Sequence, residues 1–228
     1  MAGGNVIEVY LDLLSQPCRA IHIFLNFNRI PHNVKTVAIR KGENRTPEFT
    51  KLNPMQKVPV MVDNDFVLTE SDAILKYLAN KYNVPGNWYP CHPERRARVD
   101  EFTAWHHTNI RPHAAKVFWM EVLLPRMTGQ PTDPLKLERA LGDLRDTLDK
   151  LEKMFLKKQA FLCGDDISLA DLLAVCEVMQ PLGGGRDILK DRPNLLRWRS
   201  RIQSALGDSF DKAHTVLYRL RDRAKAKL

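Results

Sequence analysis

The hydrophobic pattern changes once along these 228 residues, and that change constrains the fold more than any other feature. Before residue 83, strand-like runs alternate with helical ones. "VIEVYLDL", "QPCRAIHIFLNFN" and "HNVKTVAI" come first, then strands at 58–62 and 66–68 joined by the turn "DND", then the helix "SDAILKYLANKY". The order strand, helix, strand, hairpin, helix predicts a small mixed sheet with helices packed on it.

A stretch rich in proline and glycine, "YNVPGNWYPCHP", follows this region and predicts a linker at 83–92 between domains 1–82 and 93–228. Beyond it, "PERRARVDEFTAWHHTNIRPHAAKVFWMEVLL" and "DPLKLERALGDLRDTLDKLEKMFLK" are long amphipathic patterns with helix-start signals at Pro93 and Asp133. The fold class predicted here is an α/β domain followed by an all-α domain.

Composition excludes several classes of protein. Charged residues make up 27% and hydrophobic residues 44%, which argues against both disorder and a membrane span. The start "MAGGNVIEVY" has no basic region before an apolar core, so we expect no secretory signal and a cytoplasmic protein. The four scattered cysteines predict free thiols and no metal site.

The net charge of +8 suggests anionic ligands or surfaces. The last ten residues, "RLRDRAKAKL", hold five bases and one acid, which is half of that excess. A helical basic tail of this kind is more often a solvated surface than a binding arm, so we expect neither a nucleic acid nor a membrane as partner.

One helix-start signal is sharp and structural. In "DDISLADLLAV", Ser168 is placed to cap a helix. Asp171, three residues later, is placed to accept a hydrogen bond from the backbone of Ser168, which completes a capping box. We expect loss of the cap itself to cost at most ~2 kcal/mol of stability without touching chemistry directly.

The stretch "LDLLSQPCRAIHIF" places Ser15 and Cys18 where a strand gives way to a helix, at the positive end of the helix dipole. No base lies near Ser15 in the local sequence, and a serine without one is a poor nucleophile. Its hydroxyl can instead donate to the thiolate of a bound ligand and so lower the pKa of that ligand's thiol. Cys18, a turn into the helix, is expected to be partly buried.

Two further stretches fit a peptide ligand. In "KVPVMV", a cis Val58–Pro59 bond would leave the preceding backbone free to pair with a bound peptide, although an edge-strand proline in a turn is the alternative. In "TESDAIL", Ser71 and the helix N-terminus favour a carboxylate and Glu70 can hold an amine. Simple capping by Thr69 or Ser71 explains that stretch equally well on its own.

On the first long helix of the second domain, four residues fall on one face at i, i+3, i+7 and i+11: Thr108, Arg111, Ala115 and Trp119. Arg111 can polarise a leaving group and Trp119 can line an apolar pocket. The alternative is a surface arginine and a core tryptophan. His106, His107 and His113 lie close by without acidic or cysteine companions at ligand spacing, so we predict no metal.

"LDLLSQPCRA", "NPMQKVPVMVDNDFVLTESDAILKYL" and "ISLADLLAV" resemble the cytosolic glutathione transferases, and the first, with "RARVDEFTAWHHTNIR", resembles their theta class. The resemblance covers nearly the whole chain. It implies a thioredoxin-like N-terminal domain that binds glutathione, an all-helical bundle that supplies most of the electrophile pocket, and a homodimer. By it, Ser15 stabilises the glutathione thiolate, and the tripeptide contacts are Lys57, the backbone of Val58, Glu70 and Ser71.

Two features depart from the theta pattern. Theta proteins often carry a histidine in the loop after the second strand that meets the glycine carboxylate, whereas "RKGENRTPEF" offers Asn44 and Arg45. Either can still contact the carboxylate, by its amide or by its charge. Theta proteins also often extend past the last bundle helix, and the end at "AKAKL" predicts a more open pocket.

The implied activity is that of a detoxifying glutathione transferase, with glutathione as co-substrate and no tightly bound cofactor. The thiolate beside Ser15 attacks small electrophiles such as alkyl halides, activated sulfate esters or organic hydroperoxides, the last as a peroxidase, with Arg111 as a catalytic residue. Two alternatives stay open. Thiol exchange through Cys18 requires an exposed thiol of depressed pKa, and a non-catalytic carrier would bind hydrophobic ligands without turning over glutathione.

Overall fold

The computed structural model describes residues 6–225. One compact unit ends at Pro85 and the next begins at Gly86. The predicted basic tail, 219–228, lies only partly within the described residues, because its last three residues fall outside them. Among residues 6–225, no helix combines the length and apolar character needed to cross a membrane.

The first unit is a four-stranded sheet with helices, in the thioredoxin-like arrangement that the resemblance implies. The elements in chain order are β1 (Ile7–Leu11), α1 (Gln16–Phe27), β2 (His32–Thr36), α2 (Pro47–Leu52), β3 (Val60–Asp63), β4 (Phe66–Thr69) and α3 (Ser71–Lys81). The strand order is β2-β1-β3-β4; β1 and β2 run parallel, and β3 is antiparallel to both β1 and β4.

The predicted strands, hairpin and the helices α1 and α3 are confirmed, with two differences: the short helix α2 was not predicted, and β3 begins later than expected. The hairpin turns at Asn64, whose φ of 56° suits a two-residue turn. The strand predicted at 58–62 begins at Val60, because Pro59 has no N–H to donate to a strand ladder. The Val58–Pro59 peptide bond is cis.

The second unit is helical. Its elements are α4 (Pro93–His106), α5 (Ile110–Phe118), a π-helical segment (Trp119–Leu123), α6 (Leu124–Thr128), α7 (Pro134–Lys150), a second π-helical segment (Leu151–Leu156), α8 (Leu169–Val178), α9 (Pro193–Leu206) and α10 (Asp208–Lys225). Every residue of α8 is buried, so this helix forms the centre of the unit.

The predicted continuous helix from residue 93 to 124 is wrong. It breaks between α4 and α5, and Thr108 lies in the intervening turn. Pro112 explains the break: in a continuous helix its ring would clash with the carbonyl four residues earlier, at Thr108, whereas in the first turn of a new helix a proline is tolerated. The face predicted at i, i+3, i+7 and i+11 therefore loses its first member.

Two other sequence signals concern the second unit: the capping box at Ser168 and the linker that precedes the unit. The capping box of Ser168 and Asp171 is confirmed at the start of α8. The linker proposed at 83–92 stays a prediction, but Trp88 within it is buried and its carbonyl accepts a 3.0 Å hydrogen bond from the N–H of Leu169. Trp88 itself is therefore anchored to the second unit's central helix.

Candidate functional site

The strand register brings the proposed ligand groups of the first unit to one edge of its sheet. Leu11 pairs with Thr36, Tyr10 with Val60, and Val60 with Thr69. The ends of β1, β2 and β4 and the beginning of β3 therefore share that edge. The residues that follow or precede those strand ends are Ser15, Asn44, Arg45, Lys57, Val58, Glu70 and Ser71.

Ser15 is the N-cap residue of α1, and its hydroxyl makes no capping bond to the helix. It is half-buried, and its backbone N–H donates to the carbonyl of Asp12 at 2.9 Å. Pro17 lies in the first turn and brings no N–H that needs an acceptor. The hydroxyl thus stands at the positive end of a helix without capping the backbone of that helix.

Two residues that the sequence analysis did not select hold the Ser15 loop. Asp12 accepts from the N–H of Leu14 at 2.9 Å and from the N–H of Ile39 at 3.1 Å, which ties this loop to the loop after β2. The guanidinium of Arg19 is fully buried and donates to the carbonyls of Leu13 (2.9 Å) and Leu14 (3.2 Å). The available signal was a charged residue on the otherwise apolar face of α1.

Cys18 is fully buried, more than predicted. Burial raises the pKa of its thiol to about 11, and this outweighs hydrogen bonds from the Asp12 backbone and from the side chain of Ser15, which lower it. Thiol exchange needs an exposed cysteine with a depressed pKa. The environment of Cys18 is the opposite on both counts.

Two asparagine amides hold the segment before β3, and one of them, Asn44, joins it to the loop after β2. The Asn44 side-chain NH₂ donates to the carbonyl of Gln56, and the Asn53 side-chain NH₂ to the carbonyl of Lys57, each at 2.7 Å. Gln56 has a φ of 54°, so these bonds hold a backbone conformation that favours glycine. Asn53 was not selected from the sequence, because its partner carbonyl is recognisable only in the fold.

Of the two residues proposed for the glycine carboxylate, Arg45 is exposed and Asn44 is half-buried. The donor group of Asn44 is engaged with Gln56 at 2.7 Å, so its first role in this fold is to position the segment that leads to Lys57 and Val58. Lys57 is exposed and the side chain of Val58 is buried.

Glu70 is the N-cap residue of α3, with φ 65° and ψ 117°, and its side chain makes no capping bond. The capping alternative named Thr69 or Ser71, neither of which occupies the N-cap position. A non-glycine residue held at positive φ is a strained arrangement that recurs at ligand sites. Glu70 is exposed beside the helix N-terminus, and Ser71, the first residue of α3, is buried.

In the second unit, Arg111, Ala115 and Trp119 share one face of α5 and the π-helical segment that continues it, at i, i+4 and i+8. Trp119 is 43% exposed, so the alternative of a core tryptophan is wrong. Arg111 and Ala115 are half-buried. Thr108 is exposed in the turn before α5, where its hydroxyl accepts from the Asn109 amide at 3.0 Å.

Two of the three neighbouring histidines, His106 and His113, contact polar side chains of the second unit. His106 is fully buried, with its Nε2 atom 3.3 Å from the Glu177 carboxylate. The Nδ1 atom of His113 lies 2.6 Å from the hydroxyl of Thr147. An acidic companion for His106 exists, therefore, but it lies on α8 and not nearby in sequence. Over residues 6–225, no group of three or more metal-ligating side chains comes together.

Comparison with known proteins agrees with this geometry. Residues 15–81 match the family model for the glutathione S-transferase N-terminal domain, and residues 112–205 match that for the C-terminal domain. The chain is 49% identical to glutathione S-transferase theta-1 of Bos taurus over 217 residues, which covers 95% of this chain and 90% of the relative.

Solved structures are equally similar. Human glutathione S-transferase T1-1 in its apo form aligns with a TM-score of 0.92 at 46% identity, covering 95% of this chain and 91% of that chain. A human theta-class enzyme in complex with the glutathione conjugate of 1-menaphthyl sulfate aligns with a TM-score of 0.92 at 39% identity, covering 98% and 91%. The chain therefore belongs to the theta class of the glutathione S-transferases.

Proposed function

We propose that this transferase activates the thiol of bound glutathione with the Ser15 hydroxyl and directs the thiolate at small electrophiles. The observation that carries this proposal is that Ser15 occupies the N-cap of α1 without using its hydroxyl there. A hydroxyl that donates to a thiolate stabilises the charged form. Lowering the pKa of a thiol from about 8.5 to about 6.5 would raise its thiolate fraction at neutral pH roughly 25-fold.

The other groups at the sheet edge bind the rest of the tripeptide in this proposal. Arg45 pairs with the glycine carboxylate, while Asn44 holds the adjoining segment through Gln56. Lys57 and the backbone of Val58 bind the middle of the peptide. Glu70 pairs with the γ-glutamyl amine, and the N-terminus of α3 at Ser71 accepts the neighbouring carboxylate.

The electrophile is assigned to the face of α5 in the second unit. Arg111 polarises the leaving halide, sulfate or peroxide oxygen, and Ala115 and Trp119 line the apolar part of the pocket, with Thr108 at its end. The half-exposed tryptophan on the same face as the arginine supports this assignment. A theta-class structure solved with the glutathione conjugate of a sulfate ester supports sulfate as one leaving group.

The substrate range, assembly and location belong to the same proposal. Alkyl halides, activated sulfate esters and organic hydroperoxides are the expected electrophiles, so the enzyme also has glutathione peroxidase activity. It detoxifies such compounds as a cytoplasmic homodimer. Membership of the theta class supports these assignments.

The test compares the pH dependence of turnover in wild type, Ser15→Ala and Ser15→Thr with a small alkyl halide at saturating glutathione. At neutral pH, Ser15→Ala should lose roughly 25-fold in kcat. The gap should close as pH rises past about 8.5, where the thiol ionises without help. Ser15→Thr keeps a hydroxyl and should recover part of the rate.

Wild-type turnover in a folded Ser15→Ala variant would overturn the role of the hydroxyl. A pH-independent loss would mean that Ser15 acts on something other than thiol ionisation. Parallel assays with an organic hydroperoxide and a sulfate ester test the substrate range, and a wild type inactive with all three would overturn the assigned electrophiles. Thermal unfolding of each variant serves as the folding control.

A further inference from the structure

A basic pocket in the second unit is lined by none of the residues assigned above. It has a volume of about 260 Å³, between the turn that ends the second π-helical segment and the exposed side of α9. Its lining consists of Leu156, Lys157, Lys158, Gln159, Asn194, Arg197 and Arg201. Four of these side chains are cationic and none is acidic. We refer to it below as the basic pocket.

The cations of the basic pocket are not neutralised by the protein. Within residues 6–225, none of its two lysines and two arginines lies within ion-pair distance of a carboxylate. A larger groove of about 550 Å³ beside α7 shows the contrast, because its lining mixes acids and bases, and Arg192 there pairs with Asp149 and Glu152. The basic pocket is therefore a site of uncompensated positive potential.

Two arginines of the basic pocket are held in place by hydrogen bonds that leave their charge unpaired. Arg197 donates to the side-chain oxygen of Asn194, and Arg201 donates to the carbonyl of Ala160 at 3.1 Å. Asn194, Arg197 and Arg201 share the exposed face of α9, while Leu195, Trp198 and Ile202 form its buried face. The helix thus presents two guanidinium groups one turn apart.

The backbone at Lys157 is a second, independent observation. Its φ of 50° and ψ of −121° belong to the first central position of a type II′ turn, which glycine dominates. The turn is closed by hydrogen bonds from the N–H of Gln159 to Leu156 (2.9 Å) and from the N–H of Lys157 to Glu152 (2.8 Å). Lysine occupies this position although the backbone conformation favours glycine. The strain indicates that the charge of Lys157 has a function.

We propose that the basic pocket is a second binding site, for the diphosphate or triphosphate group of a small molecule. Guanidinium groups bind phosphate oxygens in paired hydrogen bonds, and lysines add point charges. Several cations around a small pocket match an anion with several charges better than one with a single charge. The lining holds no aromatic side chain on which a nucleobase could stack, so recognition is of the phosphates themselves.

The test is calorimetric titration of the full chain with inorganic pyrophosphate and tripolyphosphate at low ionic strength, with orthophosphate as the singly phosphorylated comparison. We expect saturable binding of the first two, weaker binding of orthophosphate, and weakening with added salt. The variant Arg197→Gln/Arg201→Gln should bind pyrophosphate about tenfold more weakly or worse. The control Lys136→Gln/Arg145→Gln removes the same charge outside the pocket and should bind like wild type.

Lys157→Gly separates binding from folding, since it relieves the turn while removing one cation. It should raise the unfolding temperature and weaken pyrophosphate binding. The proposal would be overturned by no saturable binding, by equal loss in the control pair, or by displacement of pyrophosphate by glutathione, which would assign the pyrophosphate to the first unit. Binding to anionic phospholipid vesicles without binding to soluble pyrophosphate would also overturn it, in favour of a membrane surface.

Discussion

Ser15 and Ser168 occupy the same local position, the N-cap of a helix, and the structure treats them in opposite ways. Ser15 is half-buried, and its hydroxyl makes no capping bond to the backbone of α1, although it lies within hydrogen-bond reach of the Cys18 thiol. Ser168 is buried, and both its hydroxyl and its backbone N–H donate to the Asp171 carboxylate at 3.0 Å. One serine is available to a ligand, and the other is part of the core.

The environment of each helix end explains the difference. At α8 the end is buried, so its polar groups must find partners inside the protein. Asp171 supplies them, and it also accepts from the indole N–H of Trp198 and the N–H of Leu162, each at 2.8 Å. At α1 the end is half-exposed and has Pro17 in its first turn, which has no N–H to satisfy. A cap residue is free for chemistry only where the helix end does not need it.

The largest effect should come from Asp171→Ala. Four donors would lose their acceptor: the N–H and the hydroxyl of Ser168, the N–H of Leu162 and the indole N–H of Trp198. The free energy of unfolding should therefore fall by about 3 kcal/mol or more. Urea unfolding measures this loss. Turnover per folded molecule should stay at the wild-type value, because Asp171 caps a buried helix and is not assigned to the proposed active site.

Asp166→Ala provides the matched control. Asp166 is an exposed carboxylate five residues earlier, and its loss should change the free energy of unfolding by about 0.5 kcal/mol or less. An Asp171→Ala variant that kept wild-type stability, or that lost activity while fully folded, would break the distinction between the two helix ends.

The next effect concerns Arg19, which positions the Ser15 loop through the carbonyls of Leu13 and Leu14. Arg19→Met keeps the apolar stem but removes the donors. Because a small displacement of a catalytic group is costly, kcat/KM should fall about tenfold or more. The pH–rate profile should also shift towards that of Ser15→Ala, a change that general destabilisation would not produce.

Arg19→Lys retains one donor and should recover part of the rate. If Arg19→Met loses stability but keeps both the wild-type rate and the wild-type pH profile, then the buried guanidinium supports only the core of the first unit. Ser15 would then hold its position through Asp12 and the backbone of α1 alone.

The sequence allowed prediction of those parts that depend on local order. Short strand-like runs and the turn at "DND" predicted the strands and hairpin, and the spacing of Ser168 and Asp171 predicted the capping box. The break between α4 and α5 is also a local effect, since the clash of the Pro112 ring with the carbonyl of Thr108 depends only on residues four apart in sequence. Local rules succeed where neighbours along the chain supply the partners.

The rest could not be predicted because the partners are distant in sequence. Asp171 meets Trp198 across 27 residues, and Asp12 meets Ile39 across another 27. A periodic pattern indicates which face of a helix or strand is buried, but not which polar group from elsewhere in the chain that face will contact. The positive φ of Glu70 is likewise a product of the assembled sheet edge. The residues selected at this edge stay predictions until their variants are measured.

The smallest effect should come from Cys18, the sulfur beside Ser15. Because burial raises the pKa of this thiol to about 11, its thiolate fraction at neutral pH is minute and should grow about tenfold with each pH unit below that value. Iodoacetamide followed by peptide mass spectrometry should therefore modify exposed Cys91 first. Cys18→Ala should keep turnover within about twofold of wild type, since glutathione supplies the reacting sulfur. Rapid alkylation of Cys18 at neutral pH would contradict this prediction. It would mean that the Ser15 hydroxyl stabilises the thiolate of Cys18 and not that of glutathione.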